Sequence, residues 1–132
     1  EATKAWAAQN PQRVNQLLWS NPRYVFFREE TITDPSVGPR GAQGVPLSGG
    51  RSIAVDRESI PYGTPVWLAS SGAAAQLERL VVAQDTGSAI VGAVRADYFA
   101  GTGEAAGQLA GRLRQPLRLW VLWPKAAAIP TP

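Results

Sequence analysis

Hydrophobic positions change their period along this chain. From Ala5 to Trp19 they cluster at helical spacing. Ala5, Ala7 and Ala8 surround Trp6 in a weak first helix. Asn10-Pro11 opens a second, because asparagine is a favoured N-cap and proline suits the first helical position, and Val14, Leu17 and Leu18 then recur on one face as far as Trp19. Ser20-Asn21-Pro22 ends it. Tyr24-Val25-Phe26-Phe27 is aromatic and β-branched and reads as a strand. Arg28 to Gly44 is polar and rich in glycine and proline, a long loop of the kind that often carries function.

Short strand signals follow. Gly44 to Ser48 and Ser52 to Asp56 predict a hairpin around Gly49-Gly50, and Ile60-Pro61-Tyr62-Gly63-Thr64 predicts a turn into a strand at Pro65 to Leu68. Ser70 to Gln76 is a small-residue loop. Leu80-Val81-Val82-Ala83 is continuously apolar and predicts a strand buried on both faces. Ile90-Val91 is a short apolar run and Asp97-Tyr98-Phe99 a brief extended segment. After Gly101, Thr102 can cap a helix whose apolar face is Ala105, Leu109, Ala110 and Leu113, with Glu104 in its first turn. Pro116 interrupts it, Leu117 to Trp123 reads as the last strand, and Pro124 closes the domain. The expectation is a mainly β chain. About six short strands, glycine and proline turns and one inserted helix describe a small barrel better than a sandwich or an α/β sheet. The predicted organisation is a helical arm over residues 1–22, the barrel over 23–124 and a tail over 125–132.

Composition narrows the chemistry. The 132 residues suit one domain with a core and contain neither cysteine nor histidine. That removes disulfides, thiolate and histidine metal sites and every triad that needs an imidazole or a thiol, leaving carboxylates, hydroxyls, lysine and arginine. No cofactor and no metal are expected. The formal charge of +3 is spread without a basic block, so a nucleic-acid partner is not expected. There is no apolar run long enough for a membrane span. Methionine is absent even at position 1, which predicts a processed or excised piece.

The candidate residues gather between Arg79 and Gly101. An apolar strand runs into Asp85-Thr86-Gly87, and Asp97 follows a second apolar run. Aspartic proteases carry Asp-Thr-Gly after such a strand, but their mechanism needs two such loops sharing one proton, and this chain has one copy. Asn21-Pro-Arg-Tyr-Val-Phe-Phe27, Gly44-Val-Pro-Leu47, Ser52-Ile-Ala-Val-Asp56, Ile60-Pro-Tyr-Gly-Thr64, Ala83-Gln-Asp-Thr-Gly87 with Ala89-Ile90, and Arg95-Ala-Asp-Tyr-Phe99 stand in order along nearly the whole chain. In these motifs the chain resembles the carboxy-terminal part of the membrane-bound lytic transglycosylase A family, the 3D domain, named for three aspartates. Asp56, Asp85 and Asp97 match those three positions.

The resemblance implies a six-stranded double-psi β-barrel, with short helices at the N-terminus and before the last strand. It implies cleavage of the β-1,4 bond between N-acetylmuramic acid and N-acetylglucosamine in the glycan strands of peptidoglycan. Asp97 would be the general acid and base, Asp85 its neighbour in the groove, and Asp56 structural; Thr86, Gly87 and Ser88 would line the groove and bind substrate. The resemblance also implies a periplasmic location, with the full-length protein anchored in the outer membrane. Full-length members carry a second, larger domain as the opposite groove wall, which nothing in this chain is expected to resemble, so the piece alone is expected to bind glycan poorly and turn over slowly.

The chemistry suits a chain with few catalytic groups. Glycoside cleavage needs a protonated carboxylic acid, which a like charge such as Asp85 or burial beside Tyr98 and Phe99 would favour. Hydrolysis needs a second carboxylate to activate water or to attack. In a lytic transglycosylase the muramic 6-hydroxyl attacks its own anomeric carbon, so one aspartate suffices and attack gains from proximity. A non-catalytic, expansin-like glycan-binding barrel is the alternative.

Overall fold

Apolar side chains from four strands meet on one face of a sheet, and the topology of that sheet decides which aspartates come together. The computed structural model describes residues 2–23, 26, 29, 31, 34 and 37–128. The chain divides into two units, Glu1–Thr31 and Ile32–Pro132.

The first unit contains helix α1 (Ala2–Gln9), a 3-10 turn at Pro11–Arg13 and helix α2 (Val14–Trp19). Asn10 closes the first helix instead of capping the second. Its Nδ2 donates to the Trp6 carbonyl at 2.9 Å, and no cap bond reaches the next turn. The Arg13 guanidinium lies 5.4 Å from the Trp6 ring centroid. The strand expected at Tyr24 to Phe27 falls largely outside the described residues.

The second unit holds five strands among the described residues: β1 (Ser52–Val55), β2 (Pro65–Ser71), β3 (Gln76–Asp85), β4 (Ala96–Tyr98) and β5 (Leu117–Val121). They form one sheet in the order β4-β1-β3-β2-β5. β1 runs parallel to β3 and antiparallel to β4, while β2 pairs antiparallel with both β3 and β5. The hairpin expected around Gly49-Gly50 does not form. Residues 44–48 contribute only a bridge between Arg40 and Pro46, and the backbone amides of Arg51 and Ser52 instead turn onto the Ser48 carbonyl. The partners of β1 thus come from much later in the chain.

Ile53, Val55, Val66, Leu68, Leu77, Val81 and Ala83 pack with Ile60 into the core, joined at its edge by Ala96, Tyr98, Leu113 and Leu119. Each such apolar side chain contributes about 1.5–3 kcal/mol when fully buried. β3 alternates, with Leu77, Val81 and Ala83 inside and Leu80 42% exposed, so the strand is not buried on both faces. Leu80 pairs with Trp67, and Trp67 with Trp120, as a half-exposed apolar row across the outer face. Ile90-Val91 is a turn and not a strand: Ile90 is buried and Val91 exposed. Helix α3 (Glu104–Arg112) begins at Gly103, whose φ of 88° is open to glycine, and Thr102 makes no cap. In the tail, Trp123 Nε1 donates to the Ala128 carbonyl at 3.1 Å.

Candidate active site

The site is built on the middle of β1. Regular pairing sets Ser52 opposite Val82 and Ile53 opposite Ala83, which would bring Gln84 opposite Ala54. A register shift between Ile53 and Ala54 places Asp85 there instead. Bulges of this kind re-aim side chains at the ends of strands. On the other side of β1, Asp97 of β4 also pairs with Ala54. Asp85 and Asp97 therefore flank one alanine, two strand spacings apart, or about 10 Å between backbones.

Those residues border a cleft of about 450 Å³, lined also by Leu47, Ile90, Phe99 and the turn Thr86-Gly87-Ser88. The structure brings Asp85, Asp97, Thr86, Gly87 and Ser88 together, as the sequence predicts. Ala54, with 9% of its surface exposed, is the cleft residue that sequence reasoning missed. Its signal was present only as a small residue between the apolar Ile53 and Val55.

The two carboxylates are held differently. Asp85 Oδ1 accepts the Ala42 amide at 2.9 Å. Asp97 has no such anchor; its side chain is 62% exposed and the Arg95 guanidinium stands 3.9 Å away. Burial beside Tyr98 is not what surrounds Asp97. Tyr98 alternates to the core side, where its hydroxyl accepts a hydrogen bond from Arg79 Nη1 at 3.0 Å. Phe99 lies along the cleft.

Asp56 stands apart from the pair and ties two turns together. Its Oδ1 accepts from the Glu58 amide at 3.0 Å and its Oδ2 from the Gly92 amide at 2.7 Å. The Thr86 hydroxyl donates to the Val55 carbonyl at 2.8 Å, so its proton is already committed to the end of β1. Ser88 is exposed. Beneath the cleft, the buried Ser52 hydroxyl donates to Gln84 Oε1 at 2.6 Å and accepts from the Ser48 amide at 2.8 Å. Among the described residues no group of three or more carboxylates converges as a metal site.

Family models match both ends of the chain. The 3D domain covers residues 51–123 and the MltA specific insert domain residues 1–28. The chain belongs to the membrane-bound lytic murein transglycosylase A family. The match at residues 1–28 corrects the expectation that only the barrel part of the family is represented. The Escherichia coli (strain K12) membrane-bound lytic murein transglycosylase A is 36% identical over 130 residues, 92% of this chain and 34% of that protein. The structure of the E. coli protein with bound chitohexaose matches with a TM-score of 0.76 at 32% identity, over 90% of this chain and 37% of that one. MltA from Neisseria gonorrhoeae matches with a TM-score of 0.79 at 45% identity, over 95% of this chain and 32% of that one. The lytic transglycosylase LtgG of Burkholderia pseudomallei is 57% identical with a TM-score of 0.65, over 93% of this chain and 37% of that one. The chain spans about a third of the length of the curated relatives it matches.

Proposed function

We propose that this chain carries the acid/base cleft of a lytic murein transglycosylase, which cleaves the β-1,4 bond between N-acetylmuramic acid and N-acetylglucosamine. The observation that carries the reading is the shared pairing of Asp85 and Asp97 with Ala54 across an open cleft. Carboxylates about two strand spacings apart leave room for a sugar between them, whereas an aspartic-protease dyad must bring its two carboxyls within about 3 Å. The family relationship and the chitohexaose bound to the E. coli relative support a glycan as the occupant.

In this reading Asp97 donates its proton to the glycosidic oxygen as the bond to the muramic C1 breaks, and N-acetylglucosamine leaves with a free 4-hydroxyl. The muramic 6-hydroxyl then bonds to C1, and its proton passes to the Asp97 carboxylate. The product is a 1,6-anhydro sugar, no water is consumed, and Asp97 is restored. A glycan lying over the exposed Asp97 displaces water from it, and a carboxyl out of water holds its proton more readily. Asp85 orients the sugar or stabilises positive charge at C1, Thr86, Gly87 and Ser88 line its path, and Asp56 shapes the cleft wall.

The same reading makes the five-stranded sheet part of a six-stranded double-psi barrel over residues 23–124, preceded by the helical arm over 1–22 and followed by the tail over 125–132. The partners are periplasmic glycan strands and the second domain of an enzyme anchored in the outer membrane.

The deciding experiment is product analysis on purified murein. Release of 1,6-anhydro-muropeptides is expected; products with reducing ends formed by uptake of water would refute the transglycosylase. The exposure of Asp97 favours one second reading, a glycan-binding barrel without catalysis. It predicts co-sedimentation with murein and no released fragments.

A further inference from the structure

Residues 38–47 do more than connect. They close on themselves through Gly41 N–H to Val45 O at 3.0 Å, Gly44 N–H to Gly41 O at 2.8 Å and Leu47 N–H to Pro39 O at 2.8 Å. The closed loop then seats on the end of β3. Gln43 N–H donates to the Gln84 carbonyl at 3.1 Å, and Ala42 N–H donates to Asp85 Oδ1 at 2.9 Å. These two contacts grip the two residues at which the pairing of β3 with β1 shifts register.

The seating depends on the absence of a side chain at position 41. A Cβ there would stand 2.4 Å from the Gln84 carbonyl oxygen, 2.7 Å from Leu47 Cδ2 and 3.3 Å from Asp85 Cβ. The first of these is a strand backbone atom and cannot swing aside. Gly41 is not among the glycines with positive φ, so the requirement is one of space and not of conformation. Gly44 is the converse case, with a φ of 83° and open space around it.

We propose that Gly41 is a positioning residue for Asp85: by admitting the loop against β3, it brings the Ala42 amide to the carboxylate and fixes Asp85 at the rim of the cleft. An aspartate at the end of a strand otherwise turns about its χ angles, and a hydrogen bond to the charged carboxylate selects one orientation. The catalytic consequence rests on the transglycosylase reading. The hydrogen bond does not, and it can be tested separately.

The first arm is amide hydrogen exchange at Ala42, in the unaltered chain and in variants. Asp85→Ala and Gly41→Ala are expected to speed exchange there by about tenfold or more, while Asp85→Asn, which keeps an acceptor oxygen, retains protection. Gly107→Ala, in open space on α3, leaves it unchanged. The second arm is murein turnover. Gly41→Ala is expected to lower kcat about tenfold with KM within about twofold, the pattern of a misplaced reacting group. Unchanged Ala42 exchange in Asp85→Ala overturns the inference. A Gly41→Ala protein that frees Ala42 but keeps full kcat overturns it too, and so does one that unfolds as a whole, since the effect must stay within residues 38–47 and the strand end. An unaltered protein that turns over no murein sinks the transglycosylase reading while leaving the exchange result standing.

Discussion

Asp85 and Asp97 are held at the same level of the sheet because both pair with Ala54, one from a parallel neighbour and one from an antiparallel neighbour. Neither pairing is local in sequence. The arrangement puts a methyl group where the floor of a substrate site would be, with a carboxylate on either side. It also makes the size of residue 54 a sensitive variable.

Ala54→Leu is expected to fill the floor between the two aspartates and lift the sugar away from Asp97. A displacement of about 1 Å at a reacting centre can cost about 10²-fold in rate. The added side chain points into the cleft and not into the core, so the melting temperature should move little. Anhydro-product release measured beside a thermal melt checks this. An Ala54→Leu protein with wild-type turnover would show that substrate does not cross Ala54.

Asp97→Asn keeps the shape of the proposed proton carrier and removes its function. Loss of a general acid and base typically costs about 10²–10⁴-fold. The fold should be indifferent, since the side chain is exposed and its ion pair with Arg95 is long at 3.9 Å. Asp85→Asn is expected to be milder, because the amide oxygen can still accept from Ala42. Comparing the initial rates of the two variants on murein ranks the aspartates. Equal losses would contradict the single-carrier mechanism.

The aspartates were legible in the sequence as residues but not as a geometry. Asp85 and Asp97 could be picked out by their apolar flanks and small-residue turn, yet which face Asp85 occupies depends on the shift that skips Gln84, and alternation alone cannot reveal that. The hairpin expected around Gly49-Gly50 failed for a related reason. Two apolar runs beside a glycine pair look like local partners, whereas β1 satisfies its hydrogen bonds with Val82 to Asp85 and Ala96 to Tyr98. Leu80 misled because an all-apolar run implies cover on both faces, while here the outer row of Leu80, Trp67 and Trp120 is left half-exposed. Elements whose partners are adjacent in sequence, such as α1, α3 and the β2–β3 hairpin, were the ones the pattern foretold.

Asp56 should report on stability before it reports on chemistry. Its two oxygens hold the Glu58 and Gly92 amides, so Asp56→Ala frees two backbone donors and detaches the turn that carries Ile90 into the cleft wall. About 1–2 kcal/mol of destabilisation is expected, with Asp56→Asn intermediate because it keeps one acceptor oxygen. Urea unfolding with a fixed m value measures it. An Asp56→Ala protein of unchanged stability that has lost turnover would instead make Asp56 a direct participant.

Thr86 and Ser88 offer the sharpest separation between holding the turn and touching the sugar. The Thr86 hydroxyl is spent on the Val55 carbonyl, the last residue of β1, so it staples the Asp85 turn to the strand that carries Ala54. Thr86→Val keeps the shape but leaves that carbonyl without its donor, and about 1 kcal/mol of stability should be lost. Ser88 is exposed at the cleft mouth, so Ser88→Ala should leave the melting temperature within about a degree, surface changes of this kind being nearly neutral. If Ser88 meets the glycan, its loss appears instead as a rise in KM with kcat retained, the mark of binding shared equally by ground and transition states. Melting curves and murein kinetics on the two variants give opposite patterns if the assignment is right. A destabilised Ser88→Ala and a neutral Thr86→Val would reverse it.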